Sequence, residues 1–491
     1  MGMGVLPNIN TDNNMKKLLP FLLAVIMIVP CNQLYAKSIN KIINTTQDTP
    51  KNIIMIVGDG MGPAYTSAYR YFHDDPTTTI IEETVFDRHL VGSSSTYPAR
   101  ISGYITDSAA SATALATGTK SYNGAIAVDI NKNPVGSVLV WAKKQGKKTG
   151  IVVTSQINHA TPASYLAHNV NRNNYNEIAD NFLSSHADID VMLGGGWQYF
   201  IRKDKNLVNE FKAKGFNYID KYSQLAQLPQ GEKVLGLFAN KGLPWALDDN
   251  NKHRLSAMTQ TAIRQLENKQ GYFMLVEASQ IDWAGHLNDV TAAMSEMDDL
   301  AKTMEYLEVY VEKNPDTLVI LTADHSTGGF TIGVDGQYLW QPDILRTMIM
   351  SPEAISENLA KEEVTMASVN KMLNFKITNT ELNTLQMTKT KAINDLSEHM
   401  ALVNAKTKAS FTLKSTTQPS ISQALHRAIN HIIDKRTVTG WTTLGHTGVD
   451  VPIFAMGKQK WLFQGAMDNT DIAKKIFYLL GKDNHKKQKV Q

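Results

Sequence analysis

The feature that most constrains the fold is a strand-length stretch at residues 52–57, apolar throughout after Asn52 and followed by Gly58, Asp59 and Gly60. A fully apolar run of this length is typical of a strand buried on both faces, as in a parallel sheet. Pro63 then suits the first turn of a helix. Because α/β proteins form ligand sites beyond the carboxyl ends of such strands, Asp59 is a candidate site residue.

The same alternation of strand-length and helix-length patterns continues along most of the chain. Further strands are expected at residues 149–154, 190–193, 272–276, 317–322 and 451–456. Helices are expected at residues 63–71, 137–145, 162–167, 175–184, 256–268, 289–312 and 471–480. Strands that alternate with helices form a mostly parallel sheet covered on both faces. We therefore predict an α/β fold, a three-layer sandwich around a central, mostly parallel sheet.

Composition excludes several functional classes. Of the 491 residues, 43% are hydrophobic and 19% charged, and the formal net charge is +3, as in ordinary globular proteins. The sequence has no basic tract with interleaved aromatic residues, so we expect no nucleic-acid readout. The glycines that follow residues 52–57 do not match the dinucleotide-binding fingerprint, because Pro63 occupies the place of its last glycine.

The N-terminal segment has the pattern of a secretory signal. Lys16-Lys17 precedes an apolar stretch at residues 18–30, and Ala36 ends the segment with a small residue. This pattern predicts a signal peptide at residues 1–36 and a periplasmic or secreted mature protein. The apolar stretch is short for a membrane span, so we expect no stable membrane anchor, with a retained anchor as the alternative.

The single cysteine, Cys31, lies within the predicted signal. The mature chain would then have no disulfide, and its stability would come from core burial and bound metal. Met1 and Met15 are both compatible with the start of translation, since residues 1–14 add nothing that a signal needs.

Residues 336–436 interrupt the strand–helix alternation. They are rich in Lys, Thr, Asn and Glu and carry short helical patterns without a clear buried strand. We interpret them as an inserted surface subdomain, a lid or an oligomer contact. The main domain then comprises residues 37–335 and 437–484, and residues 485–491 form a frayed tail.

The helix start at Asp107-Ser108 is the first candidate for a reactive group. Alanines and small polar residues up to Gly118 predict a helix with Ser108 in its first turn. Unpaired N–H groups and the helix dipole stabilise an oxyanion there. No histidine is adjacent in the sequence, so a metal would have to activate the hydroxyl. The alternative is an ordinary capped helix.

Side chains that commonly bind metals follow several predicted strands. Glu277 and Asp324 come after apolar strands and so reach the same sheet edge as Asp59. Asp282 and His286 stand four residues apart, which places both on one face of a helical turn. The remaining candidates are His159, Thr161, His325 and His446.

Each of these residues also has an ordinary interpretation. An Asp-x-x-x-His pair is often a surface ion pair, Asp324-His325 suits a turn, and His446 suits a structural histidine. Together, however, buried carboxylates and histidines at one sheet edge would be costly without a cation. Mixed Asp and His ligands suit zinc, whereas the oxygen ligands Asp59, Glu277 and Thr161 suit magnesium.

Several motifs resemble the alkaline phosphatase family. They are Val57-Gly-Asp-Gly-Met-Gly62, Asp107-Ser-Ala-Ala-Ser-Ala-Thr-Ala114, Gly118-x-Lys-x-Tyr-Asn-Gly124, Thr322-Ala-Asp-His325 and His446-Thr-Gly448. The likeness runs from about residue 51 to residue 457 in the expected order, with residues 336–436 less constrained.

The resemblance implies roles for the candidate residues. One zinc would be held by Asp282, His286 and His446. A second, next to the nucleophile Ser108, would be held by Asp59, Asp324 and His325. A magnesium would be held by Asp59, Thr161 and Glu277. Arg172 falls where the family has its phosphate-binding arginine, whose planar fork can grip two phosphate oxygens.

Two residues depart from many bacterial members, which have Asp and Lys at these positions. His159 can ligate the third metal or shift that site from magnesium towards zinc. Trp283 removes a positive charge that holds phosphate through water, which predicts faster product release. With the long insertion, the pair resembles the cold-adapted marine bacterial branch.

The function implied is metal-dependent hydrolysis of phosphate monoesters at alkaline pH through a covalent phosphoserine, by a homodimer as is usual in the family. Arg172 and the third-metal ligands favour a doubly charged monoester. Two alternatives stay open: a phosphodiesterase or sulfatase of the same superfamily, and a non-catalytic exported metal-binding protein.

Overall fold

A computed structural model describes residues 49–184, 188–407 and 418–482. The predicted signal peptide at residues 1–36 and the predicted tail at residues 485–491 lie outside this part. The strands are β1 (Asn52–Gly58), β2 (Leu90–Ser95), β3 (Lys148–Gln156), β4 (Val191–Gly195), β5 (Phe216–Ile219), β6 (Lys233–Leu237), β7 (Tyr272–Ala278), β8 (Thr317–Thr322), β9 (Ser326–Thr327), β10 (Thr331–Ile332), β11 (Thr439–Gly440), β12 (His446–Thr447), β13 (Val451–Gly457) and β14 (Gly465–Asp468).

A large sheet organises the fold. Within the described residues, ten strands form it in the order β14-β2-β13-β8-β1-β7-β3-β4-β6-β5. The strands from β8 to β5 in this order run parallel, whereas β13 is antiparallel to both β8 and β2. The prediction of a mostly parallel sheet is confirmed.

The central strands feed two apolar cores, one on each face of the sheet. In β1, Ile54 and Ile56 belong to the first core, and Ile53, Met55 and Val57 to the second. This is the period-2 alternation of a strand buried on both sides. The apolar stretch at residues 52–57 therefore reflects a strand between two helical layers, as predicted.

Helices cover both faces of the sheet. The first core receives side chains from Pro63–His73, Val85–His89, Arg254–Leu266, Gln280–His286, Val290–Lys313, Asp343–Thr347, Pro352–Lys361, Met366–Leu373, Asn379–Thr407 and Ile421–Thr437. The second receives them from Ser108–Thr117, Val138–Lys144, Ala160–Leu166, Tyr175–Asn181, Trp197–Phe200, Leu207–Ala213 and Asn469–Leu479. Short 3₁₀ helices lie at Arg100–Ser102, Tyr222–Gln227 and Lys460–Phe463.

The described part of residues 336–436 is helical, and its apolar side chains, such as Ile355 and Ile429, join the first core. Its separation as an inserted subdomain stays a prediction. Among the helices in the described ranges, none combines the length and the apolar character that crossing a membrane requires.

Candidate active site

Carboxylates and histidines converge at the carboxyl ends of the central strands. Asp59 follows β1, Glu277 is the penultimate residue of β7, and Asp324 lies just beyond β8. After β3, His159 is the N-cap of a helix whose first turn contains Thr161. Because β8, β1, β7 and β3 are neighbours in the sheet, their carboxyl ends bring these side chains to one edge. All five are buried.

The first ligand group is Asp59, Asp324 and His325. The Nε2 atom of His325 lies 3.3 Å from Asp59 Oδ1 and 3.2 Å from Asp324 Oδ2. The backbone N–H of Gly60 donates to Asp324 Oδ1 at 3.1 Å. One ligand atom from each residue lies within 4.8 Å of the others, so the three could share a cation.

The second ligand group is Asp282, His286 and His446. His286 Nε2 lies 3.4 Å from Asp282 Oδ2 and 3.1 Å from His446 Nε2. The Nδ1 atoms face backbone carbonyls, that of His286 towards Leu444 at 2.6 Å and that of His446 towards Thr106 at 2.8 Å. Such carbonyl partners fix the rings of metal-ligating histidines and leave Nε2 for the ion.

The third ligand group is Asp59, His159 and Glu277, which shares Asp59 with the first. Thr161 lies close enough to Glu277 for its hydroxyl to lower the pKa of that carboxylate, against the larger effect of burial. The structure therefore brings together both the oxygen ligands predicted for magnesium and the histidine that departs from the bacterial pattern.

Several oxygens of the buried carboxylates have no hydrogen-bond donor among the described residues. Burial, together with the charge of Asp324, raises the pKa of Asp59 well above its usual value. Burial also raises the pKa of Asp324 to about 8 and that of Glu277 to about 7. Among the described residues, none donates a hydrogen bond to either oxygen of Asp59, to Asp324 Oδ2 or to Glu277 Oε1. Because unpaired buried carboxylates are costly, this donor set fits divalent cations.

Asp282 behaves differently because histidines surround it. Burial raises its pKa, but the hydrogen bond to His286 and the nearby His325 outweigh burial and hold the pKa of Asp282 below its usual value. Burial lowers the pKa of His286, yet contact with Asp282 outweighs it and raises that pKa to about 9. Burial and the charge of Arg172 lower the pKa of His159 to about 3, so its imidazole is in the neutral form that binds metals.

Ser108 begins the helix Ser108–Thr117 beside the first ligand group. Its Oγ lies 3.1 Å from His325 Nε2, and the side chain is buried. The N-cap residue is Asp107, whose Oδ1 accepts the backbone N–H of Ala110 at 2.9 Å. The hydroxyl therefore lies where unpaired N–H groups of a first turn meet a metal-ligand cluster.

Asp107 also connects this helix to Arg172. The other carboxylate oxygen of Asp107 accepts from Arg172 Nη1 at 3.0 Å, and Arg172 Nη2 lies 3.3 Å from His159 Nε2. One aspartate thus caps the helix of Ser108 and holds the guanidinium between that helix and the third ligand group.

Trp283 lies half-buried beside the third ligand group. Its ring meets His159 edge-on at a centroid distance of 6.0 Å. A Cβ atom at position 242 would lie 2.4 Å from the indole, so a glycine at this position is what allows the chain to approach Trp283 this closely.

Sequence reasoning identified the ligand types but missed the residues that support them. Asp107 was recognised only as a helix cap, because its contact with Arg172 spans 65 positions and no local pattern marks it.

Arg254 was missed for a similar reason, since its partners are also distant in the sequence. It is fully buried, lies 2.8 Å from both Glu296 and Asp299, and donates to Gln280 at 2.7 Å, the first residue of the helix that carries Asp282 and His286.

The sequence matches the family model described as alkaline phosphatase over residues 50–482. The chain belongs to the alkaline phosphatase family. Alkaline phosphatase 3 of Bacillus subtilis (strain 168) is 43% identical over 440 residues, which cover 88% of this chain and 90% of the relative. The cold-active alkaline phosphatase of the psychrophile Shewanella sp. is 49% identical, with a TM-score of 0.77 over 87% of this chain and 99% of that structure.

A further alkaline phosphatase structure comes from the Antarctic bacterium TAB5. It is a variant with a histidine replaced by aspartate and with Mg bound in the M3 site, 27% identical with a TM-score of 0.62 over 89% of this chain and 99% of that one. These likenesses confirm the resemblance and the fold. The enzyme is a metal-dependent phosphatase that hydrolyses phosphate monoesters.

Proposed function

We propose that Ser108 is the nucleophile of this phosphatase and that hydrolysis at alkaline pH passes through a covalent phosphoserine. The observation that carries the proposal is the distance of 3.1 Å between Ser108 Oγ and His325 Nε2, at the first turn of a helix. The helix terminus favours the alkoxide over the neutral hydroxyl, and so would a cation held by the adjacent ligand group.

The three ligand groups would hold two zinc ions and one magnesium ion. The zinc sites are Asp282, His286 and His446, and Asp59, Asp324 and His325. The magnesium site is formed by the oxygen donors of the third ligand group, Asp59 and Glu277, together with the adjacent Thr161. Mixed Asp and His donors suit zinc, and oxygen donors suit magnesium. When bound, these cations act as Lewis acids that favour the serine alkoxide and neutralise charge on the phosphoryl and leaving oxygens.

The chain's own groups bind and orient the ester. Arg172, held by Asp107, presents a planar fork to two phosphoryl oxygens. The N–H groups at the start of the Ser108 helix face the charge that develops on the phosphoryl group. Ser108 Oγ attacks phosphorus in line with the departing alcohol oxygen, and the bond from phosphorus to that oxygen breaks. Water then attacks the phosphoserine, which releases inorganic phosphate and restores the serine.

His159 and Trp283 would tune the third site and the release of phosphate. The TAB5 variant carries Mg in its M3 site with aspartate in place of a histidine. We take His159 to be the corresponding position and expect His159→Asp to increase the magnesium affinity of this chain. Trp283 brings no positive charge to the phosphate, so Trp283→Lys should tighten inhibition by inorganic phosphate.

The serine is tested by Ser108→Ala, with Ser67→Ala, on the helix Pro63–His73, as the control. Ser108→Ala should abolish turnover of an aryl phosphate monoester while elemental analysis still finds the wild-type metal content. Ser67→Ala should keep full activity. Retained turnover in Ser108→Ala would contradict the assignment and would be the result expected of a non-catalytic metal-binding protein.

The substrate class is tested by comparing aryl phosphate monoesters with aryl phosphate diesters and sulfate esters. We expect kcat/KM to be highest for the monoester, because Arg172 and the three ligand groups suit a dianion. A preference for the diester or the sulfate would reassign the enzyme within its superfamily.

Export and assembly complete the proposal. Residues 1–36 would be removed on export to the periplasm or the medium, which mass spectrometry of the mature N-terminus checks. Residues 336–436 would form an inserted subdomain that contacts a second copy of the chain in a homodimer. Light scattering at working concentration tests this, and a monomer would contradict it.

A further inference from the structure

A groove continues outward from the second ligand group, which consists of Asp282, His286 and His446. It has a volume of about 380 Å³ and is lined by residues that include Leu243, Trp245, Trp283, His286, Leu287 and Glu353. His286 and Trp283 line the groove and also belong to the active site, so the groove and the active site are continuous.

The leaving alcohol should depart towards this groove. Ser108 contacts His325, whose ring stacks on His446 at a centroid distance of 3.6 Å, and the His446 ring in turn lies 5.0 Å from that of His286. His286 is therefore at the end of this row that is remote from Ser108. In an in-line displacement the leaving oxygen is opposite the attacking one, which places the alcohol on the side of His286.

Beyond His286, the groove combines aromatic rings with a carboxylate. Trp245 and Trp283 contribute indole rings, and Glu353 contributes a half-buried carboxylate that accepts the Trp245 indole N–H. Among the described residues that line the groove, none is a lysine or an arginine. Aromatic rings beside a carboxylate attract ammonium groups, whereas a second carboxylate there would be repelled.

We propose that this groove binds the alcohol part of the substrate and favours alcohols with an apolar body and a positively charged end, the class of amino alcohols and quaternary ammonium alcohols. The inference rests on the proposed function, since it assumes that the phosphoryl group lies between Ser108 and His286.

Two esters of the same shape test it, phosphocholine and 3,3-dimethylbutyl phosphate, which differ in having a quaternary nitrogen or carbon. The kcat/KM for phosphocholine is divided by that for 3,3-dimethylbutyl phosphate, and this ratio is measured in the wild type, in Glu353→Gln and in Glu357→Gln. Glutamine can still accept the Trp245 N–H, and Glu357 is an exposed carboxylate on the same helix but not in the groove. Any difference in intrinsic reactivity between the esters is the same in all three proteins.

The ratio should fall about fivefold or more in Glu353→Gln and change by less than about twofold in Glu357→Gln. Ethyl phosphate, whose alcohol is too short to fill the groove, should show a much smaller change in kcat/KM. An unchanged ratio in Glu353→Gln, or an equal fall in both variants, would overturn the groove assignment while leaving Ser108 chemistry intact. If the wild type hydrolyses none of the three esters, the proposed function itself is overturned.

Discussion

Replacing Arg254 tests whether a buried ion cluster supports the active site. Arg254 Nη2 lies 2.8 Å from Glu296 and 2.7 Å from Gln280, and Nη1 lies 2.8 Å from Asp299, all within the core. Arg254→Met would leave two carboxylates buried without their cation. Removing one partner of a buried ion pair typically costs about 3–5 kcal/mol. We expect the free energy of unfolding to fall by about 4 kcal/mol, since part of the cost is relieved by protonation of Asp299, whose pKa burial already raises to about 7.

Two assays are used: urea unfolding of the metal-loaded enzyme gives the free energy of unfolding, and titration with a chelator gives the concentration at which zinc is released. Arg264→Met, on the same helix with a carbonyl partner at Leu225, is the control and should cost less than about 1 kcal/mol. Because Gln280 begins the helix of Asp282 and His286, Arg254→Met should also release zinc at a lower chelator concentration.

Neutralising the partners sharpens the Arg254 test. Adding Glu296→Gln and Asp299→Asn to Arg254→Met should recover about half of the lost stability, because the two carboxylates closest to Arg254 are then neutral and only Asp249, 4.0 Å from Arg254 Nε, keeps its charge. An Arg254→Met enzyme as stable as the wild type, or a triple variant less stable than the single one, would refute the reasoning.

Three further predictions concern other parts of the molecule. Burial raises the pKa of Asp434 from 3.8 to about 8, so the folded chain keeps a proton that the unfolded chain loses. The contribution of Asp434 to stability should therefore decline from about pH 4 to pH 8. Asp434→Asn should flatten that decline and gain up to about 5 kcal/mol at pH 8, as measured by unfolding across this range. Gly242→Ala should displace Trp283 and change the inhibition constant of phosphate more than about twofold, whereas Gly136→Ala, where a Cβ meets nothing within 4 Å, should not. A strong chelator should abolish activity and lower Tm, with zinc but not calcium restoring both, and an unchanged Tm would argue against cations at the buried carboxylates.

The sequence predicts the centre of the sheet better than its margins. β1, β7 and β8 are apolar on both faces because helices cover them twice, and such runs stand out. β2 reads Leu-Val-Gly-Ser-Ser-Ser and is mostly half-exposed, and β5 has four residues with a buried side chain only at each end. These strands are held by pairing with a neighbour, which leaves no apolar pattern. The antiparallel direction of β13 was equally invisible, since an apolar run carries no direction.

The candidate site is divided in the same way, into residues that a local sequence pattern identifies and residues that it does not. Ligand types follow strands and helix starts, so local patterns identify Asp59, Asp324 and the pair Asp282 and His286. The carbonyls of Thr106 and Leu444 that orient two histidines carry no side-chain signal, and their contacts span 340 and 158 positions. Such contacts depend on the assembled fold.

The wide sequence separation of the ligands has a consequence for biogenesis. Asp59 enters the chain early, and His446 is synthesised long after it, yet both belong to adjoining ligand groups. A partly synthesised chain therefore lacks a complete pair of sites. Metal uptake would then report that the C-terminal strands have joined the sheet, which ties the onset of activity to the completion of folding.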